Sequence, residues 1–172
     1  RGTQATLIST GKVLMNIFNE APVTRSVSVS AEFTAVVSDR VPFFSQAVQF
    51  DADPNSSLIS FIACANAEEI SGASKKGFSL VFDKNIKSDT YQVGDANFPF
   101  NTVDYFETAA LPGLITSLQY KPKSGSFSVK SIESSESKLH YTLSYDFKGV
   151  NARNEELKIV GKATLIVLLR PL

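Results

Sequence analysis

The chain contains no tryptophan, one cysteine, one histidine and one methionine in 172 residues. A single thiol excludes a disulfide framework within the chain. One Cys with one His cannot build a Cys/His zinc site either. Net charge is also missing: 17 Lys and Arg balance 17 Asp and Glu. That excludes a strongly basic nucleic-acid binder and leaves little long-range field to steer charged partners. No apolar run approaches the roughly 18 residues that a membrane span needs. The longest, Ala163 to Leu169, has the length of a strand. Neither a GxxxxGK[ST] phosphate loop nor a GxGxxG turn occurs, so no nucleotide cofactor is expected, and no other cofactor is implied.

What is present is apolar and pleated. Apolar residues make up 43% of the chain and Phe alone occurs 13 times. That is too much for disorder and enough for one core, so residues 1–172 read as a single domain. Leu139, Tyr141, Leu143, Tyr145 and Phe147 alternate with His140, Thr142, Ser144 and Asp146. A strand gathers such a set on one face, whereas a helix scatters it. Val27, Val29, Ala31, Phe33, Ala35 and Val37 form a second stripe, and Phe78, Leu80 and Phe82 a third. Thr6 to Phe18 reads as a strand with a bend or bulge at Gly11. Leu58 to Ala63 and Leu165 to Leu169 are apolar on both faces, as buried or central strands are.

Turn chemistry separates the runs at Asp53-Pro54-Asn55-Ser56-Ser57, Ser71 to Gly77, Ser134 to Ser137 and Gly149 to Asn154. Only Asn66 to Ile70 and Asp104 to Leu111 suggest short helical turns. The expectation is an all-β fold: an antiparallel two-sheet β-sandwich of eight to ten strands with one or two short helical turns. A calycin-like β-barrel has the same alternation and stands as the alternative.

Asn85-Ile86-Lys87-Ser88-Asp89-Thr90-Tyr91 and Ser124-Gly125-Ser126-Phe127-Ser128-Val129 are followed by the alternating Leu139 to Phe147 strand and a closing strand over Glu155 to Val167. In this order the segments resemble small secreted or lipid-anchored β-sandwich proteins of Bacteroidetes-type bacteria, over Leu58 to Val167. The resemblance implies an exported domain of undefined activity and transfers no catalytic residues. Serine at 22 of 172 residues, much of it on strands, agrees with export. The chain opens on Arg1 and not on Met, which suggests a mature or a trimmed form. The expected location is extracytoplasmic: periplasmic, cell-surface or secreted, with a lipid anchor in the precursor left open.

Few residues offer chemistry. His140 must serve any Ser-His or Cys-His mechanism, yet it lies on the polar face of its strand, about 20 Å along it from Asp146. Cys64 ends an apolar run and reads as a small buried hydrophobe. Asp51-Ala52-Asp53-Pro54-Asn55 spaces oxygen ligands as calcium loops do. Ser56 then stands where such a loop needs Gly, and Ile62 where it needs Glu, so a polar turn is the simpler reading. Glu68, Glu69, Asp95, Asp104 and Glu107 fall in connections, where paired carboxylates would sit in a hydrolase.

The most suggestive stretch is Asn97 to Phe106, with four aromatics in ten residues of what reads as a long connection. Aromatic faces beside Asn and Asp suit a sugar ring or a partner protein. A loop whose rings cap the core is the competing reading. The expected function is a non-enzymatic binding or structural module, with Phe98, Phe100, Asp104 and Tyr105 as ligand contacts and a carbohydrate or protein as ligand. No nucleic acid, no membrane span and no metal are expected, and the chain should be a monomer or weak dimer. One alternative is a barrel holding a small apolar ligand against Tyr141, Leu143, Tyr145 and Phe147. The other is a hydrolase using loop carboxylates.

Overall fold

A computed structural model describes residues 6–8, 11–13, 25–66, 75–111 and 114–171. These residues are built from strands, with no helix among them. The strands are β1 (Thr6–Ile8), β2 (Gly11–Val13), β3 (Arg25–Val37), β4 (Phe43–Ser45), β5 (Val48–Ala52), β6 (Leu58–Asn66), β7 (Lys75–Asp83), β8 (Asp89–Gln92), β9 (Phe100–Leu111), β10 (Leu114–Ser134), β11 (Lys138–Val150) and β12 (Glu156–Pro171). β1 and β2 form a small hairpin of their own, in which Gly11 pairs with Ile8 instead of bulging a single strand. The other ten belong to one antiparallel sheet with path β4-β3-β12-β11-β10-β9-β7-β6-β5, and β8 adds to β10.

The sheet curls until it is nearly closed. Two bends do this. Along β10, residues up to Tyr120 pair with β9, and from Lys121 onward they pair with β11. The register breaks between Pro122 and Ser124, and Gly125 follows with φ +119°. A side chain at Gly125 would collide with the Asp146 carbonyl, so only glycine permits the bend. The second bend is at Gln46-Ala47, where the chain leaves β4, at one end of the path, and enters β5, at the other. There the Cys64 N–H donates to the Ala47 carbonyl at 3.1 Å, and the Ser45 hydroxyl donates to the Cys64 carbonyl at 2.7 Å. The covalent chain thus joins the two ends of the sheet. Counting β4 and β5 as one bent strand reduces the nine strands of the path to eight, a number whose interior side chains can just fill.

The expected all-β antiparallel fold is therefore present. Two packed layers are also present, as halves of one continuous sheet, and their connection is that of the barrel alternative. The expected helix at Asp104 to Leu111 is replaced by β9, where pairing with β7 and β10 holds the segment extended. The expected helical turn at Asn66 to Ile70 falls, beyond Asn66, outside the described residues.

Aromatic rings occupy the interior. Phe33 and Tyr145 on one layer meet Phe78 on the other at 5.9 and 5.5 Å between ring centroids. Tyr141 meets Phe82 edge-on at 5.2 Å, and Phe127 lies 5.2 Å from Phe100. Tyr141, Leu143, Tyr145 and Phe147 are all buried. The Tyr141, Tyr145 and Phe147 rings pack against Phe82, Phe78 and Phe127. Each fully buried Phe or Leu stabilises the fold by about 1.5–3 kcal/mol.

Candidate functional site

The two ends of the barrel differ in character. One end gathers the β5–β6, β7–β8 and β10–β11 turns. Asp53 opens the first of them. Its carboxylate accepts the Asn55 N–H at 2.8 Å and the Ser56 hydroxyl at 2.8 Å, and its N–H donates to the Leu58 carbonyl at 3.0 Å. This local turn is what Asp-Pro-Asn-Ser favours. The two bonds hold the Asp53 carboxyl below the usual carboxylate range.

Lys84 ties the turns together through its backbone. Its N–H donates to the Ser57 carbonyl at 2.9 Å, and its carbonyl accepts the Ser134 and Tyr141 hydroxyls. The end of β12 joins through the Leu169 N–H, which donates to the Ser137 carbonyl at 2.9 Å. Between these turns lies a groove of about 350 Å³. Val27, Phe50, Ile59, Leu139 and Leu169 make its floor, and Asp53, Lys84 and Ser135 stand on its rim. The floor residues come from five strands, which the curl of the sheet brings together.

The opposite end is latched by charge. The Arg40 guanidinium donates to Glu107 at 2.8 Å, and the Tyr105 hydroxyl donates to the same carboxylate at 2.8 Å. The Lys76 amine donates to the Val41 carbonyl at 3.1 Å and stands 5.9 Å over the Phe43 ring. The turn between β3 and β4 is thereby fastened to β7 and β9. Burial, then the hydrogen bond to Glu107, pushes the Tyr105 phenol well above its ordinary pKa. Burial pushes the Lys76 amine down, against the opposing pull of Glu107.

The four residues expected as ligand contacts do not meet on one surface. Phe100 is buried between Phe82 and Phe127, and half-buried Phe98 packs on Phe100 and Phe127 at 5.5 Å from each. Tyr105 is fully buried, farther along β9 in the latched half. Asp104 is 9% exposed and accepts the Lys121 amine at 2.9 Å. Of the expected long aromatic connection, Phe100 to Phe106 is strand, and the Phe98, Phe100 and Tyr105 rings pack on or in the core while Phe106 is half-buried.

The remaining candidates are likewise placed. Cys64 is half-buried in β6, with its backbone at the β4–β5 bend. His140 is half-buried on β11, cross-strand from Glu133 and Ile166. Of the carboxylates considered for hydrolysis, Asp104 is paired with Lys121 and Glu107 with Arg40, while Glu68 and Glu69 lie outside the described residues. No cluster of three or more His, Cys, Asp or Glu able to hold a metal occurs among the described residues. No helix long and apolar enough to cross a membrane occurs among the described residues.

One feature of the outer surface was not anticipated. Val36, Val41, Phe44 and Val160 are 65%, 70%, 54% and 41% exposed. All but Val41 border a shallow depression of about 510 Å³ on β3, β4 and β12. Compared with known proteins, the chain matches no family model, no curated protein and no solved structure.

Proposed function

We propose that this chain is a non-catalytic binding module that works outside the cytoplasm and takes a small apolar ligand in the groove at the turn-bearing end. The groove itself carries the reading. At about 350 Å³ it has the room of a small ligand pocket, with an apolar floor beneath a polar rim. Turns held by a rigid sheet are where binding residues tend to lie. In this reading the ligand of the barrel alternative sits at the mouth, above the ring pairs Phe78–Tyr145 and Phe82–Tyr141 of the interior. A carbohydrate or protein ligand held by Phe98, Phe100, Asp104 and Tyr105 would require buried side chains to turn outward. The extracytoplasmic assignment rests on the serine-rich strands and on the resemblance to exported β-sandwich proteins.

The test is titration with N-phenyl-1-naphthylamine, an uncharged apolar dye whose fluorescence rises in dry surroundings. Leu169 is half-buried on the groove floor, so Leu169→Arg charges the floor without removing a core side chain. Wild type should enhance the dye's fluorescence in a saturable way, and Leu169→Arg should lose at least tenfold in affinity while melting as before. Equal binding by both would move the ligand out of the groove.

A further inference from the structure

We infer that the groove selects amphiphiles whose polar end is positively charged, with Asp53 receiving that end. The inference rests on the groove being a ligand site and adds the ligand's charge. Four charged residues line the groove: Asp51, Asp53, Glu136 and Lys84. Asp51 and Glu136 already have interactions of their own. Lys84 is the one cation among them, exposed and next in sequence to Asp83, and the three carboxylates outnumber it.

Asp53 is different. It is exposed, and both of its bonds come from neutral donors, the Asn55 N–H and the Ser56 hydroxyl. Neither cancels its charge, and no ion pair to it occurs among the described residues. A carboxylate has about four lone-pair sites, so two bonds leave acceptor capacity for an ammonium group. The turn fixes the carboxylate before any ligand arrives, and the same two bonds favour its ionised form. The apolar floor beside it gives an alkyl chain somewhere to lie while the charged end stays at the wet rim.

The experiment compares octylammonium, octanoate and 1-octanol, which share one chain length, against wild type and Asp53→Asn at low salt. Asparagine keeps the acceptor that the Asn55 N–H needs, so the turn survives. Wild type should bind octylammonium about two- to fivefold tighter than octanoate, the size of an exposed ion pair. Asp53→Asn should bring the two ions to near parity and leave 1-octanol unchanged. If octanoate binds as well as octylammonium, or if Asp53→Asn keeps the preference, the charge inference fails while 1-octanol binding still supports the groove. If none of the three binds, the groove is not a ligand site and both readings fall.

Discussion

Gly161 and Gly94 are both glycines, for unrelated reasons. Gly161 faces inward on β12, where an added Cβ would run into the Thr34 carbonyl and sit 2.7 Å from the Ala35 Cα. Strand β3 approaches that closely because nothing projects from Gly161, and the ring of its cross-strand neighbour Tyr145 contributes to the core there. The Tyr145 hydroxyl donates to the Thr34 carbonyl at 2.9 Å and to the Lys162 carbonyl at 3.2 Å, which satisfies a polar group inside a greasy core. Gly94 lies in a turn with φ +92° and open space where a Cβ would go. Gly161→Ala must therefore push two backbones apart and should destabilise by about 3 kcal/mol. Gly94→Ala meets only the cost of a left-handed backbone, about 1 kcal/mol. Urea unfolding of the two variants checks the contrast, and equal losses would mean that the close approach at Gly161 is not tight.

At the scale of elements, β9 and the segment before it carry the clearest prediction. Phe100 packs on Phe82 at 5.5 Å and on Phe127 at 5.2 Å, so it belongs to the core. Phe100→Ala should cost about 3–5 kcal/mol and lower the melting temperature sharply. Binding of N-phenyl-1-naphthylamine below that temperature should be unchanged. Weakened binding with unchanged stability would return Phe100 to a ligand site. The strand β11 was legible because it is half-buried: every second residue from Leu139 to Gly149 is buried and its neighbours are more exposed. Strand β9 was not. Phe106 sits outward among polar residues, Glu107 points inward to the Tyr105 hydroxyl, and the Ala109-Ala110 pair favours helix as much as strand. Pairing with β7 and β10 overrides that weak local preference. The groove was illegible for another reason. Its floor joins residues as far apart as Val27 and Leu169, and no spacing along the chain announces such a meeting.

For the whole molecule, alternation revealed strands but could not choose between sandwich and barrel, since both bury one face of each strand. The choice depends on the bends near Gly125 and Gln46-Ala47, and only the first carries a visible sign, a glycine inside a strand pattern. Closure encloses several tyrosines, and this makes stability sensitive to base. Burial raises the phenols of Tyr105 and Tyr145 above their ordinary value. Their folded form keeps its protons where the unfolded chain releases them. The stability they supply is complete below about pH 10, the ordinary phenol value, and is lost as the pH rises above it. Urea midpoints should not fall between neutral pH and about pH 10, where the lowered Lys76 pKa acts the other way, and should fall above it. Tyr145→Phe should make that fall shallower, and an unaltered slope would show that Tyr145 ionises freely in the folded state.

The proposed function turns on one location. The direct measurement is an amide-shift titration of the isotope-labelled protein with 1-octanol. Shifts should concentrate in Asp51 to Ser56, at Lys84, and from Ser135 to Leu139, the segments that border the groove. Shifts centred instead on Val36, Phe44 and Val160, or none at all, would contradict the account.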